Sequence, residues 1–124
     1  IHAMEELTRI QVNLGLLKKH HKRNVDSGEK NVKVELMGIK VGDFVLTTFP
    51  GELSVETGMN IKRRAKNKLT YVSGVTNGYI YYTPTAKQLN NIGGAQEDSD
   101  CFLAPEWQDL YEDKAVEIVN SLKS

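Results

Sequence analysis

Ala3, Leu7, Ile10, Leu14 and Leu17 recur at three- and four-residue steps and share one face of a helix. The spacing predicts a helix from about Met4 to Lys22, with Gly15 weakening it by ~1 kcal/mol relative to alanine. Asn24 to Lys30 is polar and turn-rich and reads as a surface loop. Val32, Val34 and Leu36 then alternate with Lys33 and Glu35, the pattern of a half-buried strand. After Met37 and Gly38 the apolar parity shifts to Ile39 and Val41, which a bulge at Gly38 would explain. Gly42-Asp43 separates two apolar runs and signals a hairpin. Phe44 to Phe49 is almost continuously apolar or β-branched, as expected of a central strand buried on both faces.

Pro50-Gly51 ends that strand, and a helix is expected from Leu53 to about Lys66. On it Gly58, Ile61 and Ala65 share a face whose small residues would let it lie close to a sheet. Lys62, Arg63, Arg64 and Lys66 suit the negative end of the helix dipole. Leu69 to Val75 reads as the next strand, so strand, helix and strand imply a right-handed parallel crossover. Thr83-Pro84 reads as the start of a short helix that ends near Gly93-Gly94. Gln96 to Cys101 is a polar loop. Pro105 opens a last helix with Trp107, Leu110, Tyr111, Ala115, Ile118 and Leu122 on one face. The fold class is therefore α/β: a small mixed β-sheet with a β-hairpin and a βαβ crossover, helices packed on the sheet, in a single domain over 1–124.

Composition narrows the function. Sixteen basic and sixteen acidic side chains balance, so no global field recruits nucleic acid or an anionic membrane. The basic run Lys62 to Lys68 lacks interleaved aromatics and reads as a solvated helix end. One cysteine, Cys101, excludes an internal disulfide, fits a reducing compartment, and has no nearby histidine to activate it. Glu97, Asp98 and Asp100 match no EF-hand spacing and read as a polar surface loop. No apolar run approaches the ~20 residues of a membrane-spanning helix. The chain opens at Ile1 rather than at a methionine and reads as the C-terminal part of something longer.

Two strings stand out, Phe49-Pro50-Gly51-Glu52 and Asn77-Gly78-Tyr79-Ile80-Tyr81-Tyr82. Each falls where a strand ends, the edge at which open α/β sheets place ligands. Glu52 admits two readings: a carboxylate capping the next helix, or a ligand. Alternation would send Tyr79 and Tyr81 to one side and Tyr82 to the other, and the cluster admits a reading as aromatic packing.

Phe-Pro-Gly-Glu, a helix, and a strand ending in Gly-Val-Thr-Asn-Gly-Tyr-Ile-Tyr-Tyr resemble the neutral/alkaline (non-lysosomal) ceramidase family. So does the stretch from Gly93-Gly94-Ala95-Gln96-Glu97 through Leu103-Ala104-Pro105. The resemblance covers roughly Val32 to Leu122. It implies a zinc amidohydrolase that cleaves a lipid-like N-acyl amide with metal-activated water, in an extracellular or cell-envelope setting. It implies that Glu52 and Tyr82 are metal ligands, supported by Asn77 and Tyr79 of the Asn-x-Tyr-x-x-Tyr motif. The family's two histidine ligands and its serine segment belong to an N-terminal remainder, so zinc would bind only with that partner. No catalytic residue is then assigned to this chain, and alone it should be inactive. His2, His20 and His21 fall in or beside the first helix, with His21 expected to pack. Gly94 or Ala95 stands where the family has a substrate-holding tyrosine. The alternative is a non-catalytic α/β binding or scaffold module, with Glu52 as a cap and Tyr82 as a packing residue.

Overall fold

The computed structural model describes residues 1–90 and 100–122. The expected helix end at Gly93-Gly94, the position of the substrate-holding tyrosine and most of the Gln96 to Cys101 loop lie outside them. Along the chain run α1 (His2–Ser27), β1 (Gly38–Val41), β2 (Phe44–Thr48) and β3 (Glu52–Leu53). They are followed by α2 (Val55–Arg64), β4 (Thr70–Ser73), β5 (Tyr82–Thr83), α3 (Ala86–Leu89) and α4 (Trp107–Ser121).

The sheet is mixed, with strand order β1-β2-β4. β1 and β2 form the expected antiparallel hairpin, with Val41 opposite Phe44 across the Gly42-Asp43 turn. β2 and β4 run parallel and are joined through α2, which is the βαβ crossover. A second, two-stranded parallel ladder pairs β3 with β5. No helix among the described residues is long and apolar enough to cross a membrane.

The core lies where α2 and α4 meet the sheet. Phe49, Ile61, Trp107, Tyr111 and Ala115 form one buried cluster, and Val45, Ala65 and Val119 another. Polar side chains tie the helices together. The Asn60 amide and the Gln108 amide both donate to the buried Glu112 carboxylate, at 2.9 and 2.8 Å. Gln108 Oε1 accepts from the Ala86 amide that opens α3.

Several expectations are corrected. α1 runs on to Ser27 and stops where Gly28 adopts a left-handed conformation (φ 64°) that caps it. No strand forms over Val32 to Leu36, because none of the described residues pairs with it; Val32 and Val34 are exposed and Leu36 alone of the three packs on the core. Gly38 is not a bulge, since it pairs in register with Thr47. It is glycine because α4 passes directly over it: a Cβ there would lie 2.4 Å from Ile118 Cγ2 and 3.2 Å from Leu122 Cδ1. β2 is buried on both faces only toward its end, where Thr47 and Thr48 are both covered; at its start Phe44 and Tyr71 stack at 5.0 Å and stay exposed. The buried side of α2 is Thr57, Ile61 and Ala65, while Gly58 has open space around it. The cap of α3 is Thr85 in a capping box with Gln88, leaving Thr83 inside β5. Leu110 points outward, because the buried face of α4 follows Trp107, Gln108, Tyr111, Glu112, Ala115 and Val119.

The Gly38 contact gives a direct prediction. Gly38→Ala is expected to cost about 1–3 kcal/mol, the usual penalty of overpacking, because the branched Ile118 side chain has little freedom to withdraw. Urea melts check it, and an unchanged midpoint would show that α4 can lift off the sheet freely.

Candidate functional site

The two strings singled out in the sequence lie side by side, laced by backbone hydrogen bonds. Thr76 N–H donates to the Phe49 carbonyl (3.0 Å), Val75 to Gly51 (3.0 Å), Ile80 to Pro50 (2.7 Å) and Glu52 to Tyr81 (3.0 Å). A side chain at position 51 would break this lacing. Its Cβ would lie 2.8 Å from Phe49 Cε1, 3.0 Å from Thr83 Cγ2 and 3.1 Å from Ile80 Cγ1. The enclosing segment departs from regular backbone: Val75, Asn77 and Tyr81 have φ of 49°, 60° and 73°. For a β-branched residue such as Val75 that is a strained conformation, held only because the surrounding bonds over-determine it.

Glu52 and Tyr82 are direct partners in the β3–β5 ladder, so their side chains leave the same face. Thr83 Oγ1 donates to the Glu52 carbonyl at 2.8 Å and fixes the register. The Tyr79 hydroxyl donates to Glu52 Oε1 at 2.5 Å. The carboxylate acts on both phenols. Tyr79 is pushed up to about 12, first by its hydrogen bond to Glu52. Tyr82 is raised as well, first by the charge of Glu52. The carboxylate disfavours the phenolate form of both.

Glu52 is not the helix cap. Ser54 occupies that position and its hydroxyl accepts from the Glu56 amide, which leaves the carboxylate to the phenols. The expected alternation of the tyrosines is also corrected. Tyr79 and Tyr82 come together on Glu52, because the left-handed turn at Tyr81 resets the parity. Tyr81 presents its ring edge-on to both, at centroid distances of 5.9 and 5.4 Å. The Asn77 amide turns away from Glu52 and donates to Glu35 Oε2 at 2.7 Å, tying the loop to the segment before β1.

The packed histidine is His20, not His21, which is exposed. α1 meets the body through it: the His20 ring lies 6.0 Å from Tyr81 and 5.8 Å from Phe102, over which Arg23 is also placed. Its Nε2 is buried without a hydrogen-bond partner among the described residues. Burial lowers its pKa below the ordinary 6.5, against the opposing pull of Asp100. A base depressed in the folded state stabilises at high pH and loses that contribution as pH falls through 6.5 toward its folded value. Acidification below pH 6.5 is expected to release this end of α1, read as lower amide protection factors, corrected for intrinsic exchange, over residues 16–24. His20→Phe should remove that loss of protection; protection that still falls with acid in that variant would place the cause elsewhere.

Asp100 and His20 were not legible as neighbours of the site. The charge of Asp100 acts on both Tyr82 and His20, yet 18 positions of sequence separate it from Tyr82 and no spacing rule links them. The Cys101 thiol is buried and its pKa raised by that burial, in keeping with an unreactive cysteine. A groove of about 580 Å³ opens beside Glu52, lined by Leu53, Val55, Met59, Tyr71 and Val75 among others. A larger cavity of about 830 Å³ lies away from Glu52, between the end of α1 and the start of α4, with a lining of mixed charge.

Glu52 and Tyr82 offer two oxygen donors, where a zinc site takes four ligands. Among the described residues no three His, Cys, Asp or Glu side chains gather in a metal-holding group. No family model, no curated protein and no solved structure matches this chain.

Proposed function

We propose that this chain is the C-terminal part of a zinc-dependent amidohydrolase resembling neutral ceramidase, inactive in isolation. One observation supports the reading: the carboxylate of Glu52 and the phenol of Tyr82 leave the same rung of a parallel ladder, on the same face, with the Tyr79 hydroxyl bonded to the same carboxylate. In this reading Glu52 and Tyr82 hold one side of a zinc ion and two imidazoles from the N-terminal remainder hold the other. Zinc would supply Lewis acidity. The residues of this chain keep a fixed negative charge beside a phenol, and Tyr79 holds the carboxylate in place. The apolar groove beside Glu52 supports a lipid-like N-acyl amide as substrate, and the extracellular or cell-envelope location rests on the family resemblance alone.

The test is hydrolysis of N-acyl amides, ceramide included, by the intact protein that contains this chain. Chelator-sensitive release of fatty acid is expected from the intact protein and none from the 124 residues alone. Zinc-dependent turnover by the isolated chain would contradict the reading.

A second reading, a binding or scaffold module, is favoured by one observation. The Glu52–Tyr79 pair satisfies itself, and no third metal-binding side chain joins it among the described residues. An intact protein without bound metal and without hydrolytic activity would support it.

A further inference from the structure

α1 is a helix of 26 residues, about 39 Å long, whose one buried side chain is His20. Leu16 and Asn13 are half-buried on the same side as His20, and everything before Asn13 is exposed. Most helical stability in proteins comes from packing rather than from propensity. This helix carries Gly15 near its middle and has little packing from the described residues of its own chain. Leu7, Ile10, Leu14 and Leu17 are each roughly half exposed or more.

Those four residues follow one another at steps of three, four and three, with Ala3 four before and His21 four after. That is the spacing of the two seam positions of a heptad repeat, the pattern of a helix that packs on another helix. A helix lying on a membrane presents a wider apolar band. The stripe is centred about 100° around the helix from His20, and its four apolar side chains stay exposed while α1 is docked on its own body.

We infer that α1 pairs with the α1 of a second copy of this chain, antiparallel, centred near Val12. Antiparallel pairing about Val12 sets Leu7 against Leu17 of the partner and Ile10 against Leu14. It also sets Ala3 against His21, a small side chain opposite a large one. Charge selects this orientation. The first half of the helix holds Glu5, Glu6 and Arg9, while the second half holds Lys18, Lys19, Lys22 and Arg23 with Asp26 alone opposing. Antiparallel helices lay the acidic end of each along the basic end of the other and oppose their dipoles. Parallel helices would set the two basic ends together. This inference stands independently of the hydrolase reading. The open sheet face of Phe44 and Tyr71 is also apolar, but nothing in the structure shows what covers it.

Sedimentation equilibrium on the 124-residue chain tests it. A dimer is expected. Leu7→Asp with Leu14→Asp, both outside the folded core, is expected to weaken it on the order of 100-fold while far-UV circular dichroism of the body persists. Should those variants lose α1 itself, Lys18→Glu with Lys22→Glu leaves the stripe intact and is still expected to weaken pairing at low salt. Orientation is read by oxidation. An equal mixture of Ala3→Cys and His21→Cys chains should cross-link as a heteropair, and neither alone. The native Cys101 is buried and does not compete. A wild-type chain that stays monomeric, a dimer that survives the Leu7→Asp and Leu14→Asp changes, or cross-linking of each cysteine variant with itself would overturn the inference. So would a dimer that gives no cross-link in the mixture.

Discussion

Phe49→Ala is expected to remove about 3–5 kcal/mol of folding stability, the range for deleting a buried aromatic side chain. Phe49 is 2% exposed and sits at the centre of the aromatic core. Its ring centroid lies 4.2 Å from Tyr111 and 5.5 Å from Trp107, both tilted, a geometry worth more than area burial alone. Trp107 is itself anchored, since its Nε1 donates to the Pro84 carbonyl at 3.0 Å. The cavity cannot collapse easily while that bond holds. A domain of this size has roughly 5–15 kcal/mol in total, so one residue carries a large share of it. The consequence reaches the site. Phe49 directly precedes Pro50-Gly51-Glu52, and its carbonyl accepts from Thr76. Urea or thermal melts give the stability, and a loss under about 1.5 kcal/mol would mean that the neighbouring rings refill the space.

Glu52→Gln in the intact protein is expected to lower amide hydrolysis by well over 100-fold with little change in stability. Glutamine has the same shape, and both backbone bonds at this position, Glu52 N–H to Tyr81 and Thr83 to the Glu52 carbonyl, are retained. Loss of a residue that merely supports a metal ligand already costs about 10–100-fold; loss of the ligand itself should exceed that. A second readout needs no activity. The hydrogen bond to Glu52 is the largest cause of the raised Tyr79 pKa, so its titration should fall from about 12 toward the ordinary 10.0. Ultraviolet phenolate titration of the variant follows it. If Tyr79 shifts and turnover does not, the pair is real and the hydrolase role of Glu52 is wrong. If neither changes, the carboxylate and phenol do not meet in solution.

The hairpin and the crossover could be read from the sequence because each depends on neighbours close along the chain. Gly42-Asp43 between two apolar runs permits little else, and a strand, an amphipathic helix and a strand pack in few ways. Val32 and Val34 misled for a related reason. Alternation describes a surface suited to a sheet, but a strand exists only where a partner pairs with it, and β2 is already paired on both sides. Leu110 misled because apolar residues at helical spacing do not say which side meets the sheet; in α4 that side includes Gln108 and Glu112, satisfied by their own hydrogen bonds. At the site, Glu52 and the tyrosines could be picked out, but not their geometry. The β3–β5 ladder is two residues long and joins positions 30 apart, and the side on which Tyr82 lies depends on one left-handed residue, Tyr81. Neither leaves a periodic trace.

The central claim is that Glu52 and Tyr82 are two ligands of one zinc ion. Metal analysis of the intact protein, purified without added zinc or chelator, tests it most directly. Stoichiometric zinc is expected in the wild type, with near-complete loss in Glu52→Gln combined with Tyr82→Phe and an unchanged circular dichroism spectrum. A wild type without zinc, or a double variant that keeps it in full, would contradict the claim.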